Sequence, residues 1–305
     1  MSRVVQFREY GTTDVLEIVE VPDPEPGPGQ VRVAVRAAGV NPFDWKVLHG
    51  WIPGMPKQLP GGLGQEIAGV VEALGEGVTE VAVGDEVLGQ SSGPAFATKA
   101  LARADALVPR PEEVPWEVAA ACPVSGGTAW KVLQHLGVGQ GDTLLVHAAA
   151  GGVGTFAVQL AIARGARVIG TASEGNHDLL RRWGAIPVRY GPGLAARVRE
   201  VAPDGVDAVL DASGRGELPL SVELAGGPER VLTIAAFDDV PEGVIVHTSG
   251  GGADTPRALR EIIALIEQGS LEVPIAASYP LDEVAAALEA SEHGHHAGKI
   301  VLTTS

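Results

Sequence analysis

The sequence predicts an α/β protein in which a doubly wound parallel sheet follows a separate β-rich domain. Three observations predict it. Residues 1–124 read as short strands broken by glycine and proline. From about Pro123 strands and helices alternate. Early in that alternation a strand runs through a glycine turn directly into a helix.

In the first part, Pro22 to Gly29 is a proline-rich loop. Val31, Val33, Val35 and Ala37 then alternate with Arg32, Ala34 and Arg36, the period of a half-buried strand. Ile67 to Leu74 is another strand, and Val83-Gly84-Asp85-Glu86-Val87 reads as a turn entering the next. Such a string of short strands suits a compact barrel. The second part has expected strands at 143–147, 166–171, 186–189, 206–211 and 229–234, with helices at 152–164, 175–183, 193–201 and 217–224. A helix from Pro256 to Glu267, an amphipathic helix from Leu281 to Glu292 and a strand from Lys299 to Thr303 close the chain.

The glycine turn carries the first functional expectation. Thr143-Leu144-Leu145-Val146-His147 is β-branched and aliphatic, and Val153, Phe156, Ala157, Leu160 and Ala161 recur at helical spacing. Between them stand Ala149-Ala150-Gly151-Gly152-Val153-Gly154. In that context a G-x-G-x-x-G-like run predicts a dinucleotide site rather than a bare turn. Gly151 lets the backbone approach a diphosphate, Gly154 lets helix and strand pack closely, and the first helical N–H groups face the anion. Ala149 departs from glycine at the first position.

The acidic residue that grips a ribose 2′-hydroxyl is due about 20 residues past the central glycine, and Ala172-Ser173 stands there. Without a carboxylate to repel a 2′-phosphate, NADPH is favoured over NADH. Ser173, Asn176 and His177 are candidate phosphate contacts, with Arg181 or Arg182 one helical turn beyond and Glu174 opposing if it points inward. Ser173 and Asn176 serve equally well as helix caps.

With 305 residues, 45% of them hydrophobic and 20% charged, the chain can build real cores and is not disordered. A formal charge of -16 excludes a phosphate-backbone partner such as nucleic acid. One cysteine, Cys122, excludes an internal disulfide and a cysteine zinc cluster, and it suits a reducing cytoplasm. Met1-Ser2-Arg3 leads into a β-like segment, so no signal peptide is expected. Thr143 to Ala163 is uncharged and about long enough to span a bilayer, yet its glycines sit where a strand should turn into a helix, so no membrane partner is expected.

With these pieces in order, the chain resembles the medium-chain dehydrogenase/reductase superfamily, and within it the zinc-free quinone oxidoreductase (zeta-crystallin-like) branch. The resemblance rests on Ala38-Gly39-Val40-Asn41-Pro42-Phe43-Asp44 with Lys46 and Gly50, and on Gly64-Gln65-Glu66-Ile67-Ala68-Gly69-Val70-Val71. It continues through Gly84-Asp85-Glu86-Val87, Thr128-Ala129-Trp130, His147 to Gly154, Asp211-Ala212-Ser213-Gly214 and Gly298-Lys299-Ile300-Val301-Leu302. It implies a GroES-like catalytic domain over 1–124, a Rossmann NADP(H)-binding domain over 125–269 and a return to the catalytic domain over 270–305. It also implies an active site in the cleft between them, and a homodimer or homotetramer.

The departures set the chemistry. Zinc enzymes of this superfamily place cysteine where Asn41 stands and a histidine–glutamate pair where Gln65-Glu66 stands. The lobe with four structural cysteines is absent too. The resemblance therefore implies no zinc, since catalytic zinc wants three such ligands and an open position. His293-Gly294-His295-His296 is read as a turn before the last strand, with adventitious metal capture as the alternative. Without a Lewis acid, hydride transfer to a quinone or an α,β-unsaturated carbonyl is the natural reaction, because the developing charge is delocalised onto an oxygen that needs only hydrogen bonds.

By family position, Asn41 is the candidate polar group for catalysis and cofactor contact, although Asn41-Pro42 also suits a plain turn. Asp44 is expected in the same loop, catalytic or ion-paired with Lys46. Thr128 and Ala150, Gly151, Gly152, Val153 and Gly154 are expected at the cofactor, as are Ser213 and Gly214 on its adenosine half. Ala235 and Ala236 are expected to meet the carboxamide through backbone groups, and Lys299 is carried over as a cofactor contact. Trp45, Trp51 and Phe237 either wall an aromatic acceptor or belong to cores, and Phe237 is also expected at the cofactor. Two other readings stay open: an enoyl-thioester reductase of the polyketide kind, and a low-turnover dinucleotide-binding protein acting as structure or sensor.

Overall fold

The computed structural model describes residues 1–52, 59–248, 252, 254–294 and 296–304. The chain opens with β1 (Ser2–Phe7), β2 (Leu16–Val21), β3 (Gln30–Val40) and the short α1 (Pro42–Leu48). It continues through β4 (Gly61–Gly62), β5 (Glu66–Leu74), β6 (Glu86–Gln90), β7 (Lys99–Arg103), β8 (Leu107–Pro109) and α2 (Trp116–Ala121). The alternation read along β3 is that of a strand with one face in a core: Val31, Val33, Val35 and Ala37 are buried, while Arg32, Ala34 and Arg36 are not.

The next stretch alternates as expected. It comprises α3 (Ser125–His135), β9 (Thr143–His147), α4 (Gly152–Ala163), β10 (Arg167–Ala172), α5 (His177–Arg182) and β11 (Ile186–Arg189). It ends with α6 (Leu194–Val201), β12 (Ala208–Asp211), α7 (Leu218–Ala225), β13 (Val231–Thr233) and β14 (Ile245–Val246). The chain closes with α8 (Thr255–Glu267), β15 (Ile275–Pro280), α9 (Val284–His293) and β16 (Lys299–Thr303).

Two units result. The first comprises Met1–Val124, Ala253–Glu267 and Val273–Ser305. Its larger sheet runs β15-β16-β3-β5-β6-β8, with β7 also pairing β3, and a smaller sheet runs β2-β1-β4. Among the described residues, only the β15–β16 pair is parallel there. Phe7, Phe96, Ile67, Leu48 and Leu288 fill its core. The second unit, Ser125–Gly252 with Gln268–Glu272, holds one six-stranded sheet in the order β11-β10-β9-β12-β13-β14. All five of its pairings are parallel. Numbered along the chain this is 3-2-1-4-5-6, the Rossmann order, whose direction reverses between β9 and β12.

One segment lies elsewhere than expected. The sequence places Pro256 to Glu267 in the dinucleotide-binding domain, but α8 belongs to the first unit and packs against β8. Its helical period identifies an apolar face, with Ala258, Leu259 and Ile262 buried, but carries no information about which sheet covers it. The uncharged run Thr143 to Ala163 is strand, turn and helix, and among the described residues no helix is long and apolar enough to cross a membrane. β14, two residues long, has no legible period and was not expected.

Candidate functional site

In the second unit, the predicted cofactor residues gather at the carboxyl ends of the parallel strands. β9 ends at His147, and the chain turns through Ala148, Ala149, Ala150 and Gly151 before α4 begins at Gly152. Gly151 is the N-cap and has no side chain to satisfy the leading N–H groups of the helix. Gly154 is needed for packing: a Cβ there would lie 2.2 Å from the Ala148 carbonyl oxygen. Ala148 itself is left-handed, with φ 55°. Val153 follows Gly152 in the first turn of α4, and Ala150 is buried.

β12, register partner of β9 through Asp211 and His147, carries the second loop. Buried Asp211 accepts from the Ser213 and Gly214 N–H groups at 2.9 and 3.1 Å, and its other oxygen accepts from Thr233 Oγ1 at 2.8 Å. Thr233 Oγ1 in turn accepts from the N–H groups of Ala235 and Ala236 at 3.2 and 3.0 Å. These two residues were expected to meet a carboxamide through backbone groups. Their N–H groups are already committed, which leaves their carbonyl oxygens for that contact. Phe237 is 53% exposed, hence no core residue, and Thr128 is buried near the start of α3.

After β10, where the ribose was expected, Ser173 and Asn176 occupy N-cap positions, of a 3-10 turn and of α5, yet neither side chain makes a capping bond. His177 Nε2 is buried without a hydrogen-bond partner, the kind of orphan a polar ligand resolves. The side chains of Arg181 and Glu174 are engaged with Asp178 and Arg189 respectively. Sequence reasoning missed Arg189. The register pairs it with Ala172, where the family's acidic residue would stand, and Tyr190 follows it.

The first unit assembles a buried charge cluster. Lys299 Nζ donates to Asn41 Oδ1 at 2.6 Å, Glu66 Oε1 at 2.9 Å and the Val40 carbonyl at 3.1 Å. Asn41 Nδ2 donates to the same Glu66 oxygen at 2.8 Å, and Glu66 Oε2 accepts from the Val124 N–H at 2.6 Å. Since an ammonium only donates, it fixes which way the Asn41 amide faces. Lys299, expected at the cofactor, has all three protons engaged inside the protein, because the sheet registers bring β16, β3 and β5 together. Glu66 was noted as part of a motif and for its place in the zinc enzymes' ligand pair, with no partner assigned. Its partners lie 25 and 233 residues away, beyond any local signal.

Asp44 departs from its expected pairing with Lys46. Its oxygens accept from the backbone N–H of Asn41 at 2.8 Å and of Gly64 at 3.1 Å, so it ties the start of α1 to the connection between β4 and β5. Burial pushes its carboxyl up to about 7, against those two hydrogen bonds, with Glu66 raising it further and Lys299 opposing. Lys46 instead lies over the Trp45 ring, 5.5 Å from its centroid. Trp45 meets Trp51 edge-on at 5.9 Å, and Trp51 is 60% exposed. Cys122 is fully buried, its thiol pushed up by burial, with Sγ 3.1 Å from the Val118 carbonyl.

Among the described residues no group of three or more histidine, cysteine, aspartate or glutamate side chains could hold a metal ion. In the C-terminal histidine run, His293 Nδ1 donates to the Glu289 carbonyl at 2.7 Å, and His295 lies outside the described residues.

A Rossmann unit with a glycine turn at its switch point, in a chain that also carries a GroES-like β unit, defines the class. The model described as alcohol dehydrogenase GroES-like domain matches residues 27–112, and that described as zinc-binding dehydrogenase matches residues 185–302. A quinone oxidoreductase of Pseudomonas aeruginosa is 35% identical over 312 positions, covering 94% of this chain and 95% of that one. A mycocerosic acid synthase-like polyketide synthase of Mycolicibacterium smegmatis is 34% identical over 318 positions, 97% of this chain but 15% of that protein. A mycobacterial protein solved in complex with NADPH is 30% identical with a TM-score of 0.89, covering 99% of this chain and 100% of that one. The chain belongs to the medium-chain dehydrogenase/reductase superfamily, in its quinone-oxidoreductase-like branch.

Proposed function

We propose that this protein is an NADPH-dependent oxidoreductase that reduces a quinone or an α,β-unsaturated carbonyl without zinc. The observation that carries the zinc-free reading is the Lys299 ammonium, within 2.6 and 2.9 Å of the two side chains, Asn41 and Glu66, that stand where zinc ligands would be. An amide, one carboxylate and a resident cation are not a zinc donor set. The residues present do not fit that metal.

They do fit a dinucleotide. The glycine turn Ala150–Gly154 would hold the diphosphate against the start of α4. Ser173, Asn176, His177 and Arg189 would meet the 2′-phosphate end, with no carboxylate at Ala172 to repel it. When bound, the reduced nicotinamide supplies the hydride. The protein's part is to orient, to exclude water and to hydrogen-bond the acceptor oxygen. Asn41, its amide direction set by Lys299 and Glu66, is the group we assign to that bond, and Asp44 is a positioning residue that holds the Asn41 backbone.

Similarity to a segment of a polyketide synthase favours a second reading, reduction of an enoyl thioester. A stopped-flow panel of quinones, alkenals, enones and enoyl thioesters, followed by nicotinamide absorbance, separates the two. Oxidation of NADPH by thioesters alone would favour the second reading, and oxidation by none of them would remove both.

A further inference from the structure

The turn that precedes the glycines is met by a buried relay of hydrogen bonds whose direction is set at its Glu217 end. The Ala148 N–H donates to Thr171 Oγ1 at 3.3 Å. Thr171 Oγ1 lies 3.4 Å from His147 Nδ1, and His147 Nε2 lies 3.0 Å from Ser221 Oγ. Ser221 Oγ donates to the Glu217 carbonyl at 2.8 Å. A backbone N–H can only donate and a carbonyl can only accept. The Ser221 proton therefore points to Glu217 and His147 donates from Nε2; in a neutral ring Nδ1 then receives the Thr171 proton. The imidazole is fully buried, and burial lowers its basicity against the pull of Asp211 and Glu217, consistent with the neutral ring the relay needs.

The relay ends on both loops of the candidate nucleotide site. At one end is Ala148, a non-glycine residue in the left-handed region. At the other is Glu217, whose carboxylate lies 2.7 Å from Ser213 Oγ in the loop after β12. A left-handed alanine persists only where its surroundings over-determine it. Here they include two backbone bonds, Ala149 N–H to the Thr171 carbonyl at 3.0 Å and Gly151 N–H to the Ala148 carbonyl at 2.9 Å, and the relay that joins β10, through Thr171, to α7, through Ser221, by one side chain at the end of β9.

We propose that His147 is a positioning residue: it holds Ala148 left-handed through Thr171 and so presets the glycine turn for the diphosphate before any nucleotide arrives. This rests on the reading that the turn binds NADPH. Thr171→Val is nearly isosteric and removes the central hydroxyl. His147→Gln retains reach toward Ser221 but not toward Thr171. Each is expected to weaken NADPH binding in a fluorescence titration by about tenfold, the scale of the penalty for one left-handed non-glycine residue. The rise should appear in KM for NADPH, with kcat within about twofold. In nucleotide-free protein, amide exchange at Ala148 to Gly151 should quicken in both variants. Adding Ala148→Gly to Thr171→Val should restore most of the affinity, because glycine is left-handed without strain. Undiminished affinity in both single variants, or a loss that Ala148→Gly does not relieve, overturns the proposal. A wild-type protein that does not bind NADPH overturns the functional reading instead.

Discussion

Gly170 on β10 faces Ala149 so closely that a Cβ built on the glycine would lie 2.7 Å from the alanine methyl. The first position of the fingerprint holds alanine because the neighbouring strand carries no side chain there. Gly170→Ala is expected to destabilise the protein by roughly 1–3 kcal/mol through overpacking. Ala149→Gly in the same chain should recover much of that, leaving the contact with Leu180, 3.0 Å from the same Cβ. Urea unfolding of the two single variants and the double variant gives the coupling. Simple additivity would mean that the two positions are independent.

Ala172 and Arg189 are register partners at the ends of β10 and β11. Ala172→Asp should narrow or reverse the preference for NADPH over NADH, and Arg189→Ala should narrow it. The ratio of kcat/KM for the two cofactors measures both. Two unchanged ratios would mean the ribose is read elsewhere.

Lys299 and Glu66 are 3% and 0% exposed, so the pair is buried on both sides. Lys299→Met leaves a buried carboxylate without its cation and is expected to cost about 3–5 kcal/mol. Lys299→Met with Glu66→Gln should recover most of this, since the isolated charge is gone. Equal instability of the single and double variants would place the cost in packing rather than charge.

Asp44 gives a pH dependence whose sign follows from its raised carboxyl, about 7 against 3.8 unfolded. Between those values the folded state binds more protons, so stability falls as pH rises. The contribution is fully present below the unfolded value and is lost as pH passes the folded one. Asp44→Asn removes this slope, so the Tm difference, variant minus wild type, should rise from pH 4 to pH 7. A flat difference would show that the carboxyl titrates normally.

Metal content tests the reaction class. Elemental analysis of purified, active protein should find no zinc equivalent needed for turnover, and chelator treatment should leave the rate unchanged. One tightly bound equivalent whose removal abolishes activity would replace the proposed chemistry with Lewis-acid catalysis.

Much of the nucleotide unit was legible because its signals are local. Strand, turn and helix around Gly151 lie within one short run of chain, and the missing carboxylate at Ala172 is read at a fixed offset from it. The side-chain assignments were less legible. Ala235 and Ala236 were expected to offer backbone groups to a carboxamide, but Thr233, two or three residues earlier, takes their N–H groups. Asp44 was placed in its loop but given Lys46 for company, because sequence proximity suggests an ion pair that helix geometry here replaces with backbone donors.

Periods and turn residues along the chain determined which segments are strand or helix, which faces are apolar, and that a glycine turn meets a helix start. Strand register decided the rest: that Lys299 reaches Asn41 across 258 positions, that Arg189 stands beside Ala172, and that His147 joins β10 to α7. A strand pattern states which side of a strand is buried. It does not name the neighbour, and buried charges and hydrogen-bond relays exist only between neighbours.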